Sequence, residues 1–385
     1  MITTNFFDEQ IVTQRTPIIS LKSIYGLSAI RDIWSGDVTS DGIEFIIKAE
    51  ANGAQDATLD TAERGPYPPG YELEPGFAAR LSTVPTGGQG CEFGYHDDAD
   101  GWFYDVNALG MFAVRRRDSV EVSRVIIGKW YGNRLTSPNI FKDYSFSPFD
   151  GHMYSIPFSW YGFGPTQYAQ QRRSKSKLGK WMNLFHTTRS AGETSVAQPH
   201  LPIRFHAYTS AGDDAFEIRA TGRQISVIGN YNPVARTTSI DSGSVSLPAD
   251  VWTPVMAIRR RSVYPYAPTK LGNIDVDSED TIRLALVENG SVESGGTWAT
   301  PEDYVAAETL LEVNQDPQPT VTDITTGTLI FKHRYPIGDK KDIPDVDVRN
   351  TASAPLIEDR AFLVFAKPVS GSSSIKITMN MREDW

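Results

Sequence analysis

Apolar and polar residues alternate with a period of two through much of this 385-residue chain. Ile43, Phe45, Ile47 and Ala49 share one side, and Glu44, Ile46, Lys48 and Glu50 the other. Tyr154, Ile156, Phe158 and Trp160 repeat the pattern, as do Phe216, Ile218 and Ala220, then Ile225 and Val227. Near the end, Ile375, Ile377, Met379 and Met381 alternate with Ser374, Lys376, Thr378 and Asn380. Successive side chains of a strand face opposite ways, so each run predicts a half-buried strand. Turn-forming clusters stand between the runs: Thr86-Gly-Gly-Gln-Gly90, Ser210-Ala-Gly-Asp-Asp214 and Ser370-Gly-Ser-Ser-Ser374. Many short strands joined by turns predict an all-β sandwich or barrel. One helix is expected. Thr300-Pro-Glu-Asp303 offers a capping hydroxyl, a first-turn proline and acids, and Tyr304 to Val313 then form a short amphipathic helix flanking a sheet.

The pattern also divides the chain. Residues 1–35 carry scattered apolar positions and predict an N-terminal arm or docking segment. Residues 36–235 predict an aromatic-rich first β domain. The Ser/Thr-rich stretch within 236–250 predicts a linker, and 251–385 a second, smaller β domain. The length agrees, because it exceeds what one core ordinarily holds.

Composition narrows the function. With 40% hydrophobic and 22% charged residues, the chain is that of a folded globular protein. A net charge of −10 without a basic block argues against nucleic acid as partner. No apolar run reaches the roughly 20 residues that cross a bilayer, so no membrane insertion is expected. The N-terminus lacks a basic segment followed by an apolar one, so a secretory signal is not expected either. The single cysteine, Cys91, excludes an internal disulfide and reads as a small buried residue.

Little catalytic chemistry is legible. Retaining glycosidases on jelly-roll sandwiches carry Glu-x-Asp-x-x-Glu on one strand face, and no such run occurs. The six histidines show no ligand spacing, although His200 and His206 flank one short strand. A Gly-x-Ser-x-Gly elbow and a phosphate-cradling loop are both missing. The acidic stretches Asp97-Asp-Ala-Asp100 and Asp275-Val-Asp-Ser-Glu-Asp280 fail the calcium-loop pattern and read as solvated turns, with a structural calcium ion the sharper alternative. No cofactor and no enzyme activity are expected. Three basic runs remain: Arg115 to Arg117, Arg259 to Arg261, and Arg172, Arg173 with Lys175, Lys177 and Lys180. Ion pairing is favoured for them, and contact with an acidic neighbour or a glycan is the alternative.

Four segments follow one another in an order of their own: Glu63 to Tyr71, Gly94 to Tyr104, Phe158 to Gly164, and Leu201-Pro-Ile-Arg-Phe205. Together they resemble a module of structural proteins from tailed phages and related tailed viruses. The resemblance covers Asp60 to about Gly229, with His186 and the Leu201 to Arg204 run in matching places. It implies a concanavalin A-like jelly roll and brings no catalytic residues with it. The chain then reads as a structural virion protein made in the host cytoplasm. It would be a capsid decoration, turret or spike component, a homo-oligomer against the major capsid protein or other virion proteins. The alternative is a tail or fibre adhesin that binds a host glycan. Trp102, Phe103, Tyr104, Trp160, Tyr161 and Phe163 either fill the core, which is favoured for roughly half to two-thirds of them, or stack on sugar rings. Trp102, Tyr104, Trp160 and Tyr161, with Arg172 and Arg173, are therefore the candidate glycan or partner contacts.

Overall fold

In a computed structural model the chain separates into two compact units, Met1–Asn232 and Pro233–Trp385. The structure describes residues 15–29, 31–65, 67, 71–127, 151–159, 166–171, 181–187, 195–229, 236–261, 269–290, 298–301, 304, 309, 311–315, 324, 328–335 and 361–383.

The first unit has two antiparallel sheets. One runs, edge to edge, β10 (Val120–Ile126), β9 (Gly110–Arg117), β8 (Gly101–Asn107), β7 (Gly90–His96), β14 (Ile203–Tyr208), β5 (Ala57–Thr61) and β2 (Asp32–Ser35). The other runs β13 (Trp181–Thr187), β12 (Thr166–Gln171), β11 (His152–Ser155), β6 (Glu72–Leu81), β15 (Phe216–Ile228), β4 (Phe45–Ala49) and β3 (Asp37–Ser40). An eighth strand, β1 (Arg15–Leu21), pairs with the second half of β15, whose first half pairs with β4. These are the seven- and eight-stranded sheets of one sandwich, closed over a shared core. Alternation explains the closure: Phe45, Ile47, Phe216, Ile218, Ile225 and Val227 face in from one sheet, and Leu59, Phe93, Ile203 and Phe205 from the other.

Aromatic rings fill the middle. Phe77 packs against Phe93, Tyr104, Tyr154 and Phe205 with centroids 6.1–6.3 Å apart. Buried phenols need partners, and they find main-chain carbonyls. Tyr168 donates to the Val114 oxygen at 2.5 Å, and Tyr95 to those of Gly65 and Pro199 at 3.1 and 2.8 Å. Cys91 is buried among them, and burial pushes its thiol up.

The second unit pairs a sheet β16 (Arg236–Leu247), β23 (Ser373–Glu383), β18 (Thr269–Ser278) with a sheet β20 (Leu311–Asn314), β17 (Thr253–Arg260), β22 (Ala361–Pro368), β19 (Ile282–Gly290), β21 (Thr328–Tyr335). Ile240, Ile274, Ile377, Met379, Leu284 and Val364 form its own core.

Three expectations change. Residues 15–35 are not an arm, because β1 and β2 each complete a sheet of the sandwich. The expected linker is β16, whose polar composition hides a buried side: Ile240 and Leu247 are core residues, and Thr238 donates to the buried Glu383 carboxylate. Leu311–Asn314, expected at the end of a helix, is strand β20, held by β17 and by the Ala299–Val313 bridge. The rest of that expected helix lies outside the described residues except Tyr304 and Thr309. Among the described residues the helical elements are two 3-10 turns, Ser23–Tyr25 and Ala51–Gly53.

Candidate functional site

The outward face of the seven-stranded sheet carries its charge in rows that the strand register lines up. One row reads Asp60, Arg204, Gly94, Phe103, Val114, Arg124, and the next Thr58, His206, Glu92, Asp105, Phe112, Ile126. Arg204 grips Asp60 through two nitrogens, each 2.8 Å away, and reaches Asp98 at 2.5 Å. Glu92 takes Arg116 at 3.3 Å and faces His206 at 3.7 Å. Asp105 accepts from Arg124 and, at 2.9 Å, from the Tyr208 hydroxyl. Gly94 leaves room for its neighbour: a Cβ there would stand 2.5 Å from the Phe103 Cα. The Phe103 ring is stacked on His96 at 4.3 Å and capped by Arg116 at 4.7 Å.

Glu92 and Asp105 are direct cross-strand neighbours, the arrangement from which an acid–base pair could be made. Their surroundings pull them apart. Burial pushes the Glu92 carboxyl up, but His206, His96 and Arg116 outweigh it and hold it near 2. For Asp105 burial prevails over Arg124, and its carboxyl is raised. Both carboxylates are nonetheless spent on arginine, histidine or tyrosine, and Asp105 is 2% exposed. The face is a self-neutralised charge network.

The acidic turn behaves likewise. Asp97 accepts the Ala99 and Asp100 amides at 2.9 Å and Arg64 at 2.7 Å, while Asp100 accepts the Ala197 amide at 2.8 Å. Arginines and amides thus occupy the oxygens that a calcium reading would need. Asp275 and Asp277 stand in strand β18, not in a turn. Among the described residues no cluster of three or more His, Cys, Asp or Glu side chains could hold a metal ion. His200 and His206, six positions apart, go different ways: His200 Nδ1 accepts the Tyr67 amide at 3.2 Å, and His206 lies between Asp56 and Glu92.

The proposed contact residues are corrected in part. Trp102 and Tyr104 point into the sandwich with no exposed surface, Trp102 against Phe158 at 4.1 Å and Tyr104 against Phe93 at 5.4 Å. Their even positions in β8 place them on the core side, so neither can touch a glycan or a partner. Trp160, Tyr161, Arg172 and Arg173 lie outside the described residues.

A ligand-sized recess lies on the opposite face. Along the outward side of the eight-stranded sheet a groove of about 410 Å³ is floored by β6 and β15 and walled by β1. That volume falls within the roughly 300–1,000 Å³ of small-molecule sites. The floor is low because Gly76, Ala78 and Gly222 supply it. Around it stand Ser155, Gln224 and Ser226, with the Gln224 amide donating to the Ser226 hydroxyl at 2.7 Å. At one end Arg15 clasps Glu74 through two nitrogens at 2.5 and 2.9 Å. The β15–β6 ladder slips between Ala220 and Arg223, and the β1–β15 ladder between Pro17 and Ile19, which sets the wall and floor out of step. The alternation pattern does not show this site, since its lining comes from four segments distant in sequence. Its trace in sequence is a glycine at 76 and another at 222, each breaking an otherwise apolar–polar strand.

No family model matches the chain, and no curated protein does. Solved structures do. They include the VIP36 exoplasmic/lumenal domain in its Ca2+/Man3GlcNAc-bound form (9% identity, 57% of this chain, 93% of that one, TM-score 0.38). Peanut lectin with a nine-residue peptide is another (11% identity, 55% and 99%, TM-score 0.35). A third is lectin II from Ulex europaeus (7% identity, 55% and 99%, TM-score 0.35). The first unit is a sandwich of two antiparallel sheets over one core. Its two large faces differ in kind, the seven-stranded one closed by ion pairs and the eight-stranded one recessed.

Proposed function

We propose that this chain binds a glycan in the groove of the eight-stranded sheet without chemically altering it, and that it does so on a tailed-virus particle. The observation that carries the binding is the floor. Glycine within a strand costs about 0.5–1 kcal/mol relative to alanine, and other strand glycines here offset it by close packing, as Gly94 and Gly101 do, or by serving a positive φ, as Gly243 does. Gly76 and Gly222 do not. Neither has a positive φ. A Cβ would meet nothing nearer than the Tyr154 oxygen at 3.8 Å at the first, or the Leu21 oxygen at 3.7 Å at the second. A side chain there would only fill the groove. The accessible Ser20 and Thr221 hydroxyls, the Gln224 amide and the Arg15–Glu74 pair around an open floor are the donors and acceptors that sugar hydroxyls require.

The absence of turnover is supported by the commitment of Glu92 and Asp105 to their cationic and phenolic neighbours. The viral setting is supported by the ordered motifs between Asp60 and Gly229; the chain would serve there as a surface decoration or as an adhesin.

Gly76→Leu tests the binding. It should fold, melt no lower than the parent, and lose at least tenfold in affinity for the glycans that the parent retains on an array. Equal binding by the variant, or no glycan retained by the parent, would overturn the proposal. Labelled antibody on purified particles tests the setting, and unlabelled particles would sink it.

A further inference from the structure

The groove is positively charged in an acidic protein. The chain as a whole carries −10. Of the charged side chains lining the groove, Glu74 is 6% exposed and already neutralised by Arg15. Arg223 lies in the lining too, but its guanidinium turns to the other side of the sheet, where it meets Asp32. That leaves Lys22. Its backbone is extended (φ −109°, ψ 132°), so it continues the alternation of β1 and falls on the outward side with Ser20 and Arg15. Lys22 is exposed, and among the described residues it makes no ion pair. The two cations, Arg15 and Lys22, mark the ends of the strand that walls the groove, about 20 Å apart at roughly 3.3 Å per residue.

We propose that the groove takes an anionic oligosaccharide in preference to a neutral one, an acidic group of the chain seated against the Lys22 ammonium. This rests on the glycan reading of the groove and names the class of ligand. The separation of the cations favours an oligomer lying along β1 over a single sugar. The ammonium selects charge, while the hydroxyl and amide side chains between the ends serve any saccharide.

The test titrates the full chain with an oligouronate, with its methyl ester, and with a sulfated oligosaccharide of similar length. The acid should bind about fivefold tighter than the ester at low salt, the preference expected of one partly exposed ion pair, and the gap should shrink in 0.5 M salt. Lys22→Gln should remove the gap, and because the side chain is exposed the variant should fold as the parent does. The sulfated arm shows whether carboxylate or sulfate is the better anion. Equal affinity for acid and ester, both abolished by Gly76→Leu, would overturn the preference and leave the groove as a glycan site. Binding that is absent, or indifferent to Gly76→Leu, would overturn both.

Discussion

Glu72 shows how much one side chain can depend on its place along a strand. It is the next outward residue on β6 before Glu74, and both Glu72 and Arg15 sit beside Ile228 in the same cross-strand row. Arg15 nevertheless bonds to Glu74, one row away. Burial, and then the Glu74 charge, push the Glu72 carboxyl up to about 7 from its ordinary value of 4.5. The folded state therefore holds a proton that the unfolded chain releases earlier. Stability is unaffected below about pH 4.5, falls as pH rises from there to about 7, and stays lowered above it. Glu72→Gln removes the effect. The variant should match the parent near pH 4 and exceed it at pH 8, by on the order of 1–3 kcal/mol. Urea unfolding across that range checks it, and a constant difference at all pH values would show that Glu72 does not titrate in the window.

At the scale of elements, β2 is held from inside the sandwich. Asp32 of β2, in the seven-stranded sheet, meets Arg223 of β15, in the eight-stranded one, at 2.5 Å, with both side chains 2% exposed or less. Arg223 also lies over the Phe45 ring at 4.9 Å, and its Nε and Nη1 have no hydrogen-bond partner among the described residues. A buried pair is costly to break and cheap to replace. Asp32→Ala should cost roughly 3–5 kcal/mol by stranding a guanidinium. The double change Asp32→Leu with Arg223→Met should recover most of that loss, and a double-mutant cycle by urea unfolding measures the recovery. Such a pair explains where the sequence misleads. Asp32 and Arg223 are polar at core positions, so alternation alone leaves residues 1–35 looking like a detached arm. The Ser/Thr composition of β16 hides a strand in the same way, since Thr238 is a polar residue at a buried position, its hydroxyl satisfied by Glu383. By contrast, strands with clean apolar alternation were legible: Phe45, Ile47 and Ala49 in β4, and Ile375, Ile377, Met379 and Met381 in β23, are all in the core. The groove was not, because its shape comes from register slips and missing side chains. Aromatic richness pointed instead at Trp102 and Tyr104, which the sandwich needs for its interior.

At the scale of the whole molecule, each unit closes a core from its own residues. Among the described residues the aromatic core ends at Val227, and the buried clusters of the second unit begin at Ile240. Two separate cores predict two cooperative unfolding events, and calorimetry of the full chain should resolve them, with 1–232 and 233–385 each melting alone at one of the two temperatures. That separation gives the binding proposal a thermal signature. The groove is lined by residues between Arg15 and Ser226, all within the first unit. A ligand that binds only the folded form stabilises it by about 2.7 kcal/mol at a hundred times its Kd. For a unit of this size each kcal/mol shifts the midpoint by about 2–4 °C. A saturating glycan should therefore raise the first unit's transition by about 5–10 °C and leave the second where it was. Gly76→Leu should abolish that shift while keeping both transitions. A glycan that moved the second transition, or moved the first equally in the Gly76→Leu protein, would place the binding site elsewhere in the chain.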